Sequence, residues 1–120
     1  MRIRESTSEA NINEILTAVV TFYRNRYGDM LKQVWLFGSK ARGDFSNASD
    51  IDVMVVLDDN AHIDKAIGSD TEKYNFAMDI LVKYDELLST KEYPVSDFKK
   101  KRISLYRNVK REGILFYEKQ

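Results

Sequence analysis

The sequence predicts an α+β domain, a small mixed β-sheet flanked by helices, and three observations lead there. Two short apolar runs, "QVWLFGS" and "DIDVMVVLD", read as buried strands. Helical patterns stand near both ends of the chain. Helices and strands do not alternate one for one, so a doubly wound unit is excluded. At 120 residues the chain has room for one core, and residues 1–120 are expected to form a single domain.

Taken in order, the first element is a helix in "STSEANINEILTAVVTFYRNRYG". Ile12, Ile15, Leu16, Val19 and Tyr23 recur at helical spacing, Ser6 and Glu9 have capping-box spacing, and Gly28 stands where a helix-ending glycine belongs. "QVWLFGS" follows as a strand stopped by glycine, and "DIDVMVVLD" as a β-branched strand, apolar after its polar start. Residues 58–72 are mixed, with a weak helical pattern around "AHIDKAI". "KYNFAMDILVKY" reads as a third strand: Tyr74, Phe76, Met78, Ile80 and Val82 alternate on one face, with Asn75, Ala77, Asp79 and Leu81 on the other. "YDELLSTKEY" reads as a short helical turn, and Pro94, the only proline, marks a break. A last helix is expected from a Ser96 or Asp97 cap to Gly113, and "ILFYEK" closes the chain as a strand or packed tail.

Composition narrows the function classes. Lys+Arg and Asp+Glu both number 19, so bulk charge argues neither for nor against nucleic acid and any anion site must be local. With no clear basic-aromatic platform either, direct nucleic-acid binding is not expected. With no cysteine, disulfides, thiolate metal sites and a cysteine nucleophile are excluded. No apolar run approaches the roughly 20 residues that span a bilayer. "MRIRESTSEA" lacks the apolar stretch of a secretory leader, so a cytoplasmic protein without membrane contact is expected.

The chemistry concentrates in "LFGSKARGDFSNASDIDVMVVL", Leu36 to Leu57. On a strand, Asp50 and Asp52 project from one face while Ile51 points into the core. Two such carboxylates repel, and a hard divalent cation such as Mg²⁺, bound together with substrate phosphates, removes the conflict. If the third strand pairs beside the second, Asp79 joins them, and three acids can hold two metal ions for in-line displacement at phosphorus. Gly38 permits close backbone approach, and Ser39 offers backbone amides and a hydroxyl to a triphosphate. Arg42, three residues on, can grip the same anion with a bidentate fork. A Walker loop fails because Gly43 is followed by Asp44 and Phe45; a dinucleotide fingerprint fails because Lys40 stands where its second glycine belongs.

This pattern, G-S, ten residues, D-x-D, with A-R-G after the serine, resembles the minimal nucleotidyltransferases of the DNA polymerase β superfamily. More narrowly it is similar to the MNT proteins encoded beside HEPN toxins. "MDILVKYDEL" resembles the family's segment bearing the third acid, and "RNVKREGILFYE" its C-terminal end. The resemblance implies that Gly38 and Ser39, with Arg42, contact the nucleotide. It makes Asp50, Asp52 and Asp79 the metal-binding and catalytic acids, with two Mg²⁺ ions as cofactor and ATP as substrate. It further implies AMP transfer to a tyrosine of a HEPN toxin partner, and so an antitoxin. Two rivals are weighed beside this. One is a nucleotidyltransferase acting on a small molecule such as an aminoglycoside, which usually carries an additional helical domain. The other is a non-catalytic antitoxin that occludes its toxin.

Other features have plain readings. "KKKR" at 99–102 is a solvated helix face, and Trp35, Phe37, Phe76 and Phe116 are core. His62, the only histidine, is expected at the surface, and it lacks the upstream arginine of a HEPN R-x4–6-H nuclease site.

Overall fold

Helix α1, Glu9–Tyr27, forms because Ile12, Ile15, Leu16, Val19 and Tyr23 stack into one buried stripe. It ends at Gly28, whose φ of +57° leads into a 3-10 turn, Gly28–Met30. The computed structural model describes residues 9–38, 40, 41, 43, 50–63, 70–100 and 113–120, so the Ser6 part of the expected capping box lies outside them. Strand β1, Leu31–Phe37, leaves the turn and runs antiparallel to β2, Ile51–Leu57, with Phe37 opposite Asp52. Helix α2, Thr71–Tyr84, then crosses over to β3, Leu88–Pro94, which lies parallel to β2. A five-residue helix α3, Val95–Lys99, follows, and β4, Ile114–Glu118, pairs antiparallel with β1. The sheet order is β3-β2-β1-β4. The expected α+β domain with a small mixed sheet is therefore what the chain forms.

β2 is the centre of the molecule, and its two faces have different fates. Ile51, Val53, Val55 and Leu57 point to the helical side, where they pack with the α1 stripe and with Ile80 of α2. Met54 and Val56 point the other way, against Trp35, Phe37, Tyr93, Val95 and Phe98. The helical side is further tied by polar groups. The Tyr23 hydroxyl donates to Glu92 Oε1 at 2.6 Å, and Lys73 Nζ donates to Glu92 Oε2 at 2.8 Å, joining α1, α2 and β3. Asp70 caps α2 by accepting from the Lys73 amide at 3.0 Å, and Arg26 of α1 bonds the same carboxylate. No helix among the described residues is long and apolar enough to cross a membrane.

Two expected elements are corrected. "KYNFAMDILVKY" is helix α2 rather than a strand, and "LSTKEYP" is strand β3 rather than a helical turn. A strand parallel to its neighbour needs a crossover element, and residues 71–84 supply it. The alternating apolar residues fit both periods, because Tyr74, Met78 and Val82 are also four apart. In the helix those three are exposed, while Phe76, Ile80 and Tyr84 turn toward the core. The expected cap of the last helix is also corrected: Pro94 is the N-cap position, without a side-chain hydrogen bond. The expected run to Gly113 is corrected as well, since α3 stops at Lys99 and Lys100 is extended. Residues 101–112 lie outside the described residues, as do 64–69 of the weak pattern near His62, while 61–63 are not helical. His62 is exposed, and Trp35, Phe37, Phe76 and Phe116 are half-buried at the edges of the core.

Candidate active site

The face of β2 opposite the helices carries the acids. Asp50 directly precedes the strand and is exposed, while Asp52, on the same parity as Met54 and Val56, is half-buried. β1 delivers its end to this point, since Phe37 pairs with Asp52 and Gly38 comes next. Gly38 has φ +79°, and a Cβ built on it would stand 2.7 Å from Asp52 Oδ2. Only glycine allows this turn to lie against the carboxylate, for both conformational and steric reasons. The strand-end turn and the D-x-D pair therefore meet, as their sequence spacing anticipates. Farther along the turn, the Gly43 amide donates to the Lys40 carbonyl at 3.2 Å. Ser39 and Arg42 lie outside the described residues.

Electrostatics marks Asp52 as a carboxylate that a cation would relieve. Burial pushes its carboxyl above the usual carboxylate range, the charge of Asp50 pushes it the same way, and Lys91 opposes both. Like charges drawn together on a partly desolvated face, under a glycine-floored approach, suit a hard cation with oxygen ligands.

Asp79 does not join the pair. It is exposed on α2, in the helical layer, whereas Asp50 and Asp52 project from the opposite face of the sheet. Among the described residues no group of three acidic, histidine or cysteine side chains could hold a metal. The expected convergence of three acids depends on placing Asp79 on a strand beside β2. That neighbouring strand is β3, and it sets Ser89 beside Asp52 and Lys91 beside Met54. Sequence reasoning passes over both residues when their segment is taken for a helical turn. Once "LSTKEYP" is set as a strand, Ser89 and Lys91 fall on one parity, which is the signal that finds them.

Two buried charged residues also escape the sequence pattern. Lys40, in the turn after Gly38, is 1% exposed, and Glu86, just before β3, is 2% exposed. Neither is a free charge. Glu86 sits where the Leu87 carbonyl accepts from the Ile51 amide at 2.8 Å, so it borders the start of the acid-bearing strand. Asp85 before it adopts a left-handed conformation, φ 57°, and ends α2. Farther along the acid-bearing face lies a cleft of about 810 Å³, walled by Trp35, Val56, Val95, Phe98 and Leu115 and rimmed by Lys32, Asp58 and Lys99. Neither Asp50 nor Asp52 lines it.

Comparison with known proteins bears on the family and the fold. Residues 21–120 match the family described as "Polymerase beta, Nucleotidyltransferase". The chain is 35% identical over 112 residues to the Methanocaldococcus jannaschii protein named "Putative protein adenylyltransferase MJ0604", covering 91% of this chain and 97% of that one. Among solved structures it resembles a toxin–antitoxin crystallised with AMP-PNP, at TM-score 0.58 and 17% identity, over 87% of this chain and 73% of that one. It also resembles a chain from the tri-AMPylated Shewanella oneidensis HEPN toxin in complex with its MNT antitoxin, at TM-score 0.53 and 18% identity, over 93% and 73%. At these identities the structural likeness speaks for the fold.

Proposed function

The chain belongs to the polymerase beta nucleotidyltransferase family, and from that premise we propose that it transfers AMP from ATP to a tyrosine hydroxyl of a HEPN-type toxin, acting as the antitoxin. The observation that carries the reading is the meeting of Gly38 with Asp52, beside Asp50, on the open face of the sheet. The adenylyltransferase name of the 35% identical relative supports AMP as the transferred group. The HEPN–MNT complex among the structural neighbours supports the partner class.

Asp50 and Asp52 would hold Mg²⁺, which needs only one or two protein carboxylates when the substrate's phosphates complete its shell. When bound, the metal supplies positive charge to the reacting phosphate and to the departing pyrophosphate. The protein's own contributions are positional. Gly38 opens a path for the triphosphate to lie against the turn, with Ser39 and Arg42 as further phosphate donors. Asp52, fixed by the sheet, sets where the α-phosphate sits relative to the incoming hydroxyl. The acceptor oxygen forms a bond to the α-phosphorus, and the bond from that phosphorus to the bridging oxygen breaks. Its electron pair leaves with pyrophosphate, and the hydroxyl proton passes to solvent.

The test is to co-express the chain with a HEPN partner and read the partner's tyrosines by mass spectrometry. One or more AMP additions on the toxin, absent when the chain is omitted, support the reading. A toxin bound and silenced without modification would replace it with the occluding antitoxin. A small hydroxyl compound labelled in place of the protein would replace the acceptor class.

A further inference from the structure

The strand beside the acids, where the sequence pattern leads one to expect a third carboxylate, carries a cation. Lys91 lies on β3 opposite Met54, so its side chain rises from the same face as Asp52, one strand over and two residues along. Ideal sheet spacings put the two Cα positions about 8 Å apart, a gap that a four-carbon stem and a carboxylate can close between them. Lys91 is exposed, its backbone pairs in the β2–β3 ladder, and its charge already acts on the Asp52 carboxylate. Its neighbour Lys73, by contrast, rises on the helical side and is tied to Glu92. Across the carboxylate from Lys91 stands Gly38, the open end of the β1 turn. An anion resting on Asp52 through a cation would therefore have the glycine turn on one side and an ammonium on the other.

We propose that Lys91 is a substrate-binding residue whose ammonium pairs with the phosphate chain of the nucleoside triphosphate seated at Asp50 and Asp52. The inference rests on the nucleotidyltransferase reading above. The chemistry is of one kind with the site: a lysine acts as a compact point charge for phosphate, needing no fixed fork. Ser89, on β3 directly beside Asp52, is uncharged and cannot replace an ammonium as a point charge for phosphate. A purely structural role has a different signature, because a lysine that only offsets the repulsion of the acids would act on stability whether or not nucleotide is present.

The experiment compares Lys91→Met, which keeps the stem, with Lys91→Arg, which keeps the charge. Binding of a non-hydrolysable ATP analogue and of AMP is measured at fixed Mg²⁺, together with KM for ATP, kcat and Tm. Losing one charge-assisted contact should weaken analogue binding and raise the ATP KM in Lys91→Met by roughly 10- to 100-fold. AMP binding and Tm should stay near wild type, and Lys91→Arg should keep most of the ATP affinity. Unchanged ATP affinity in Lys91→Met, or an equal loss for AMP and ATP, overturns the assignment. So does a fall in Tm that Lys91→Arg rescues with no change in affinity. A wild-type protein that binds the analogue but transfers nothing sinks the nucleotidyltransferase reading instead, while the binding comparison still judges Lys91.

Discussion

Substituting alanine at Gly38 tests the meeting of turn and acid directly. The residue has φ +79°, and an added Cβ would lie 2.7 Å from Asp52 Oδ2. Two costs follow, and they can be separated. Holding a non-glycine residue in the left-handed region costs about 1–2 kcal/mol. Forcing the Asp52 carboxylate off its rotamer to clear the new methyl costs a further ~0.5–1.5 kcal/mol. Gly28 is the internal control, since it has φ +57° and an added methyl there would meet nothing within 4 Å. Gly28→Ala should therefore show the first cost alone, by urea unfolding, and Gly38→Ala both. In an Asp52→Ala background the excess at Gly38 should vanish, a coupling of about 0.5–1.5 kcal/mol in the double-mutant cycle. Because the displaced group is the proposed metal-holding carboxylate, AMP transfer by Gly38→Ala should fall on the order of 100-fold, more than its stability loss explains. Equal costs for Gly38→Ala in both backgrounds, or full activity in that variant, would refute the geometry.

Two further outcomes are expected. Burial, then the charge of Glu92, holds the Tyr23 phenol well above its ordinary value of 10.0, so it stays protonated in the fold while the unfolded chain ionises. Its share of stability is therefore intact below pH 10.0 and declines above it by about 1.4 kcal/mol per unit. Tyr23→Phe should flatten that slope in urea titrations at successive alkaline pH values, and should cost about 1–2 kcal/mol at neutral pH through its lost bond to Glu92. Asp79→Asn, on the exposed side of α2, should leave metal-dependent transfer within about twofold of wild type, the scale of surface changes. A loss as deep as that of Asp52→Asn would contradict its placement away from the pair.

The legible parts of the sequence are those where one physical demand dominates. β2 can be read because a strand buried on both faces must be apolar throughout, so the two acids at its start stand out. α1 can be read because its stripe has a single period and a glycine stop. The segment 71–94 misleads because alternation and helical spacing coincide at Tyr74, Met78 and Val82, and local pattern does not reveal which strand will need a crossover. That single swap moves Asp79 off the sheet and brings Ser89 and Lys91 onto it. The pairing of Gly38 with Asp52 is legible as spacing, but the sequence does not state how near a strand-end turn comes to its neighbour's side chain. Lys40 and Glu86 give no signal, since a charged residue inside a polar segment looks solvated until the fold closes over it.

The most direct measurement is transfer of label from α-³²P-ATP to the acceptor protein, with and without Mg²⁺, by wild type and by Asp50→Asn and Asp52→Asn variants of unchanged Tm. Wild type should label the acceptor only when the metal is present, γ-³²P-ATP should give no label, and either variant should lose the reaction. Undiminished labelling by both folded variants would show that the two carboxylates beside Gly38 are not where the nucleotide is cut.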